Sequence, residues 1–202
     1  GRGAPIARQV ASPETAGQSA GEELKLHVAS PDWRDQIIYF LMTDRFFDAQ
    51  SGNNDLGAGE FGPGDNAKYN GGDLRGVEEK LDYIRGLGAT AVWITPPAAN
   101  QWWDPQHQYS GYHGYWAENF KTVDRHLGDL ADYRRLSHRI HSMGMYLVQD
   151  IVVNHTGNFF SYGDRWSARD PARDFQTNPG AKPVQRPSQP PFNMNDPREP
   201  EQ

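Results

Sequence analysis

The residues best suited to do chemistry stand at the end of the last strongly apolar run of the sequence. This run covers residues 146–153; it contains Asp150, and Asn154 and His155 follow it. A carboxylate inside an apolar run needs a partner, because burying it alone is costly. A lone histidine at a strand end is usually a structural residue. An acid, an amide and an imidazole that meet at the mouth of a strand favour a site for a polar ligand.

A second concentration of functional side chains lies between residues 102 and 120. The segment contains seven aromatic residues, two histidines and two acids: Trp102, Trp103, Tyr109, Tyr112, Tyr115, Trp116 and Phe120, interleaved with His107, His113, Asp104 and Glu118. Sugar rings bind by laying their apolar C–H faces on aromatic rings while their hydroxyl groups meet polar side chains. Any one of these aromatics could belong to the core of the loop itself. Seven together predict that some of them face a ligand.

Residues 48–55 form an oxygen-rich loop, Asp-Ala-Gln-Ser-Gly-Asn-Asn-Asp. Such a loop suits a hard cation, because Ca²⁺ takes about six to eight oxygen ligands. It is not an EF-hand, since Gly59 stands where that motif has its bidentate glutamate. From the local sequence alone, a turn that caps itself with side-chain hydrogen bonds is the better interpretation. A further polar group, Thr43-Asp44-Arg45, is interpreted as an ion pair or loop anchor rather than as a catalytic group.

Alternating strands and helices position these groups. Apolar runs at 37–42, 91–94 and 146–153 predict three strands buried on both faces, and apolar residues at helical spacing predict helices at 74–87 and 130–143. The strand-to-helix loops are long and the helix-to-strand turns are short. This asymmetry is typical of an α/β fold of the (β/α) barrel type, which builds its sites at the carboxyl ends of the strands. A doubly wound sheet is the alternative, although its glycine-rich phosphate fingerprint is absent from the first turn.

Composition and charge restrict the partners. The formal net charge is −6, so we expect no nucleic acid partner. The apolar runs are far shorter than the roughly 20 residues of a membrane-spanning helix, so no membrane insertion is expected. The sequence contains no cysteine, which excludes disulfides, thiolate metal sites and a cysteine nucleophile.

Two flanking segments lack apolar periodicity. Residues 1–31 are rich in small and polar residues and are predicted to be a flexible lead-in. Residues 156–202 are rich in proline and polar residues, which predicts either an inserted loop domain or a disordered tail. The α/β unit is therefore placed at residues 32–155.

Several motifs in the same order resemble the alpha-amylase family, glycoside hydrolase family 13. Asp150-Ile-Val-Val-Asn154-His155 resembles its first signature region, and Gly111-Tyr-His-Gly-Tyr-Trp116 resembles its substrate loop. Three further stretches look like the preceding elements of that family: Thr43–Phe46, Tyr69–Leu74 and Leu87–Ile94. The resemblance covers about residues 36–160 and is greatest to cyclodextrin glucanotransferases, cyclomaltodextrinases and bacterial alpha-amylases. It implies the first three βα units of a (β/α)8 TIM barrel, followed by the start of a domain inserted after the third strand.

The resemblance also implies roles for individual residues at the substrate site. His113, Tyr115 and His155 correspond to family positions that contact the sugar on the non-reducing side of the cleaved bond. Trp116 belongs to the same substrate loop. Asp150 corresponds to a buried carboxylate that supports the site without attacking the sugar.

Ca²⁺ is the cofactor that the resemblance implies. Asn154 corresponds to a ligand of the calcium ion that ties the barrel to its inserted domain. A second calcium site of glucanotransferase-like members corresponds to five residues of this sequence: Asp48, Asn53, Asn54, Gly71 and Asp73. This implication reverses the preference for a plain turn at residues 48–55.

The family cleaves or transfers alpha-1,4 bonds with retention, which needs two carboxyl groups roughly 5 Å apart. In the family these groups follow later strands, so no catalytic residue is assigned to this sequence. We expect the N-terminal part of a glycosidase or transglycosylase that acts on starch, maltooligosaccharide or cyclodextrin. Its partners would be that alpha-glucan and the remainder of its own barrel, and the isolated chain is expected to be inactive. A non-catalytic glucan-binding module and a decayed, truncated product remain the alternatives.

The expected location is outside the cytoplasm, either secreted or periplasmic. The implied calcium sites favour export, and so does a sequence that starts Gly1-Arg2-Gly3. Residues 1–31 themselves contain no charged-then-apolar signal peptide.

Overall fold

The computed structural model describes residues 28–105, 107–158, 160–162, 165, 169 and 175–177. The lead-in predicted for residues 1–31 lies outside the described residues up to position 27. The inserted domain or tail predicted for residues 156–202 also lies mostly outside them. Both therefore stay predictions.

The described part alternates helices with short strands. In chain order the strands are β1 (Ile38–Leu41), β2 (Ala91–Ile94), β3 (Ala98–Asn100), β4 (Trp103–Asp104), β5 (Tyr109–Ser110), β6 (Ala117–Val123), β7 (Tyr146–Gln149), β8 (Phe160–Tyr162) and β9 (Phe175–Thr177), and the helices are α1 (Leu74–Glu79), α2 (Leu81–Gly86) and α3 (Leu130–Ser142). None of the described helices has the length and apolarity needed to cross a bilayer.

A parallel sheet of β1, β2 and β7, in that order, forms the centre of the described residues. Leu41 pairs with Ile94, and Ile94 pairs with Gln149, so the carboxyl ends of the three strands lie side by side. This confirms the predicted α/β class with a parallel sheet. The third strand ends at Gln149 rather than at Val153, because the pairing with β2 stops at Gln149 and residues 150–153 belong to no strand.

The hydrophobic core lies between one face of this sheet and the helices. It contains Leu41, Val92 and Ile94 of the strands with six helical residues: Leu74, Val77, Leu81, Ile84, Leu136 and Ile140. The opposite face is open in the described residues, where Ile38 is 45% and Phe40 50% exposed. The prediction that the strands are buried on both faces is therefore wrong for this part of the chain. Three strands are too few to close on themselves and cover that face.

The helix predicted at residues 74–87 is two helices that meet at Lys80. The backbone of Lys80 leaves the helical region at φ −98° and ψ 8°, and its N–H is shared between Gly76 O and Val77 O. This sharing tightens the last turn of α1. The second predicted helix is confirmed as α3. Asp129 and Asp132 form a capping box at its start.

The aromatic segment predicted as one long loop contains four short strands. β3 pairs with β6 and β4 pairs with β5, both in antiparallel fashion. Register shifts interrupt the β3–β6 pair, and β4 and β5 have two residues each. Such short and irregular pairs leave no alternating pattern in the sequence. They fold the segment back onto the carboxyl end of β2.

Candidate functional site

Tyr115 joins the loop at residues 111–116, here called the aromatic loop, to the chain that follows β7. Its hydroxyl donates to Asp150 Oδ2 at 2.7 Å. Its carbonyl accepts from His155 Nε2 at 2.8 Å, and its N–H donates to His113 Nδ1 at 3.0 Å. The structure thus brings together four of the five predicted substrate-site residues through direct hydrogen bonds.

Two glycines allow this convergence. Gly114 has a φ of +85°, and a Cβ atom there would lie 2.5 Å from Pro96 O, so a side chain would push the aromatic loop away from the end of β2. A Cβ atom on Gly157 would lie 2.8 Å from Trp116 O. The Gly157 N–H instead donates to Ala117 O at 2.8 Å. The chain beyond His155 therefore runs directly alongside the aromatic loop.

Trp116, the fifth predicted residue, is held mainly by other aromatic rings. Its N–H donates to Asn100 Oδ1 at 2.7 Å. Its ring lies edge-on to His113 with centroids 4.8 Å apart, and also contacts Tyr109 at 6.0 Å. Trp116 therefore supports His113 from the side, and its predicted contact with substrate stays a prediction.

Two polar groups of the site, those of His113 and Tyr115, are neutral. Burial, together with the charges of Arg45 and His155, lowers the pKa of His113 to about 4. Burial and the hydrogen bond to Asp150 raise the pKa of Tyr115 to about 12. The imidazole and the phenol are therefore both uncharged near neutral pH. Uncharged donors and acceptors beside aromatic rings suit a polyhydroxylated, uncharged ligand.

Asp150 is partly buried and lies just beyond the strand, whereas the sequence placed it inside a buried strand. Its Oδ2 atom accepts a second hydrogen bond, from Trp93 Nε1 at 3.3 Å. The sequence interpretation missed this role of Trp93, taking the residue only as part of a buried strand. The alternation of β2 was the available signal, since Val92 and Ile94 are fully buried and Trp93 points to the opposite face.

Four of the five residues predicted to bind calcium near β1 also lie close together, and the fifth, Asn53, precedes Asn54 in the chain. Asp48 Oδ2 accepts from Asn54 Nδ2 at 2.5 Å. Gly71 packs against both side chains, since a Cβ atom there would lie 2.7 Å from Asn54 Nδ2 and 2.9 Å from Asp48 Oδ2. Asp73 Oδ2 accepts from Gln50 N at 2.8 Å, and its Oδ1 caps α1 by accepting from Gly76 N at 2.6 Å.

The oxygens at this place suit a hard cation. The side-chain oxygens of Asn53 and Asn54 are buried and have no hydrogen-bond partner. Burial raises the pKa of Asp73, and the negative charge of Asp48 raises it further. Among the described residues no group of three or more His, Cys, Asp or Glu could hold a metal. A cation here would therefore rely on two carboxylates plus amide and carbonyl oxygens, a donor set that fits Ca²⁺.

Asn154, the predicted ligand of the other calcium ion, is exposed. Its side-chain nitrogen lies 3.4 Å from His155 Nδ1. The inserted domain that this ion would tie down falls among residues outside the described ranges. This ligand assignment stays a prediction.

A buried charged cluster, which the sequence interpretation missed, consists of His126, Glu60 and Asp124, with Tyr69 stacked on the imidazole. His126 Nδ1 lies 2.8 Å from Asp124 Oδ1 and His126 Nε2 lies 3.1 Å from Glu60 Oε1. Tyr69 stacks on the imidazole at 3.8 Å between ring centroids. Burial opposes the charged imidazolium, but Asp124 and Glu60 outweigh it and raise the pKa of His126 to about 9. The cluster ties the loop around residue 60 to the end of β6.

The family model of the alpha-amylase catalytic domain matches residues 40–201. The beta/alpha-amylase of Paenibacillus polymyxa is 41% identical over 128 residues, which is 63% of this chain and 10% of the relative. The cyclomaltodextrin glucanotransferase of Klebsiella oxytoca is 41% identical over 128 residues, which is 62% of this chain and 20% of the relative.

A solved structure also matches. The alpha-amylase from Geobacillus thermoleovorans, complexed with acarbose, is 41% identical with a TM-score of 0.52. The match covers 63% of this chain and 25% of that one. The chain thus spans a tenth to a quarter of the length of these three proteins.

Proposed function

The chain belongs to the alpha-amylase family, and from that premise we propose that it forms part of the substrate cleft of a retaining enzyme acting on alpha-1,4-glucans. The observation that carries this proposal is the set of hydrogen bonds that join Tyr115 to Asp150, His113 and His155, two donated by Tyr115 and one accepted by its carbonyl oxygen. The acarbose complex of the Geobacillus relative supports an alpha-glucan as the ligand class. Hydrolysis and transglycosylation are both known among the matched relatives, so both belong to the proposal.

The proposed work of these residues is binding and orientation. The ring of Tyr115 offers its face to the apolar side of a glucosyl unit, and the imidazoles of His113 and His155 form hydrogen bonds to its hydroxyl groups. Asp150 keeps the Tyr115 ring in place through the bond to its hydroxyl group. Retaining cleavage proceeds by double displacement through a glycosyl-enzyme intermediate, and it requires a nucleophile and an acid/base about 5 Å apart. We assign neither role to any of the 202 residues.

It follows that these 202 residues by themselves are proposed to bind glucan without cleaving it. The test is incubation of the pure chain with amylose, followed by reducing-end analysis and by affinity electrophoresis in amylose gels. Retarded migration without new reducing ends is expected. Release of reducing ends would contradict this part of the proposal. Absence of both retardation and cleavage would favour a product without function.

A calcium ion is proposed at Asp48, Asn53, Asn54, Gly71 and Asp73. The two buried amide oxygens without partners support it. When bound, the ion would neutralise the two carboxylates and cross-link the 48–54 loop to the start of α1. Its role is structural, and a calcium-dependent fold favours a location outside the cytoplasm, where calcium is abundant.

Changing His155 to alanine in the full-length protein is expected to lower kcat more than it raises KM. If the imidazole binds the sugar more tightly in the transition state, its loss removes about 1.5–3 kcal/mol, roughly a tenfold to hundredfold fall in kcat. Steady-state kinetics on maltoheptaose measures both constants. His138→Ala, an exposed histidine of α3, is the matched control. An unchanged kcat in His155→Ala would reject the proposed role.

A further inference from the structure

We propose that Arg45 is a positioning residue for this cleft: it holds the aromatic loop on the end of β1 and keeps His113 as a neutral imidazole with its proton on Nε2. The link to sugar binding rests on the proposed function. The protonation state of His113 does not, since it can be measured without a ligand.

Arg45 is fixed on three sides. Its Nη2 donates to Asn66 O at 2.9 Å, and its Nε lies 3.4 Å from Asp44 Oδ2. The guanidinium carbon stands 3.8 Å from the centre of the Tyr112 ring. Asp44 is itself fully buried and accepts from the backbone N–H groups of residues 70 and 71. These contacts fix the position of the Arg45 charge. A planar, forked guanidinium makes such contacts better than an ammonium group does.

Within the aromatic loop, the Tyr112 ring that Arg45 holds packs against the imidazole of His113. The Tyr112 ring lies edge-on to the imidazole with centroids 5.4 Å apart. The hydroxyl groups of Tyr112 and Tyr109 lie 2.6 Å apart, and the Tyr109 ring contacts the imidazole at 6.2 Å. With Trp116 on another side, three rings enclose the imidazole, and one of them, Tyr112, lies against Arg45.

The backbone of Tyr115 decides which nitrogen of His113 carries the proton. A backbone N–H only donates, so Nδ1, at 3.0 Å from it, must be the acceptor. The single proton of the neutral ring then lies on Nε2. Protonation of Nδ1 would place two N–H groups against each other and break the bond to Tyr115.

Charge discourages a second proton on the same ring. Among the described residues, the charged or titratable groups that face His113 are Arg45 beyond β1, His155 after β7, and the phenols of Tyr109, Tyr112 and Tyr115. Burial is the largest cause of the low pKa of His113, and Arg45 is the next. His113 consequently offers the same N–H donor on Nε2 throughout the mildly acid range.

The test is long-range ¹H–¹⁵N correlation spectroscopy of the full-length protein labelled with ¹⁵N-histidine, recorded from pH 8 to pH 4. His113→Asn assigns the signals. We expect a bare Nδ1 and a protonated Nε2 in the wild type down to about pH 5. Arg45→Gln should raise the pKa of His113 by about one unit or more, whereas Arg45→Lys, which keeps the charge, should raise it less. The control is Arg125→Gln, which removes an arginine 5.7 Å from another ring, that of Trp102.

A protonated Nδ1 in the wild type would overturn the proposal, and so would an unchanged pKa of His113 in Arg45→Gln. If Arg45→Gln does not fold, the wild-type spectrum and the spectrum of Arg45→Lys test the proposal instead. A wild-type pKa of His113 near its ordinary value would then contradict the proposed role of Arg45.

Calorimetry with acarbose at pH 5 and pH 7 separates the two proposals. The affinity of Arg45→Gln should fall from pH 7 to pH 5 by a larger factor than that of the wild type or of Arg45→Lys. If the wild type binds no acarbose, the proposed function fails while the spectra still decide the role of Arg45. If all three proteins show the same pH dependence, the link from Arg45 to sugar binding is wrong.

Discussion

Replacing His126 with alanine is expected to lower the free energy of unfolding by about 3–5 kcal/mol, because it leaves buried charge uncompensated. His126 is 1% exposed and Glu60 is fully buried. The imidazolium contacts Glu60 and Asp124 directly, so its removal leaves two buried carboxylates without their positive partner. Urea denaturation at pH 6 measures the loss. His138→Ala, at an exposed position of α3, should cost less than about 0.5 kcal/mol.

The same cluster predicts how stability depends on pH. The folded pKa of His126, about 9, is above its ordinary value of 6.5, so its contribution is complete below pH 6.5 and is lost as the pH rises through 9. Burial opposes the charged form of Glu60, but the hydrogen bond from His126, the backbone N–H groups and the charge of His126 together outweigh it and lower the pKa to about 2. The contribution of Glu60 is therefore present above pH 4.5 and is lost as the pH falls through 2.

Two results would contradict this account of the cluster. The first is a His126→Ala penalty that stays as large at pH 9.5 as at pH 6, since the wild-type imidazole has lost its charge at the higher pH. The second is strict additivity of His126→Ala and Glu60→Gln. Neutralising Glu60 should restore part of the stability that His126→Ala loses, because one of the unpaired charges is then gone.

Asp73→Ala is expected to lower the free energy of unfolding by about 3 kcal/mol or more even without calcium. Its carboxylate caps α1, which contributes about 1 kcal/mol. It also accepts from Ala49 N and Gln50 N, and each donor left buried without a partner costs about 1–3 kcal/mol. Thermal unfolding in EGTA measures the calcium-independent loss of stability alone.

Comparison with Asp48→Asn separates capping from metal binding. Asp48 is exposed and belongs to the proposed calcium site, but it does not cap α1. In Asp48→Asn the rise in Tm on adding calcium should shrink, while the Tm in EGTA changes little. In Asp73→Ala the Tm in EGTA should fall, and the rise in Tm on adding calcium should shrink as well. An unchanged calcium-dependent rise in Tm in Asp48→Asn would reject the metal site and leave Asp73 as a cap alone.

The elements of the sheet and of α3 were predictable because their residues repeat at the spacing of the structure they form. The runs at 37–42, 91–94 and 146–153 contain β1, β2 and β7, and the pattern at 130–143 contains α3. The break at Lys80 was not predictable, since the apolar spacing continues across both helices. The strands β3–β6 were not predictable either, because β3, β4 and β5 have only two or three residues each and the apolar residues of β6 do not alternate.

The identities of the cleft residues Tyr115, His113, His155 and Asp150 can be read from the amino-acid sequence, because motif order and residue chemistry are properties of the chain. Only the folded arrangement shows that the peptide and hydroxyl groups of Tyr115 join the other three. The fold alone places Arg45 on the ring of Tyr112. It also places His126 between Asp124 and Glu60, although Glu60 is 66 positions away in the sequence. Hydrogen bonds, desolvation and ion pairs depend on distance in space, and residues far apart in sequence become neighbours only when the parallel strands bring their carboxyl ends together.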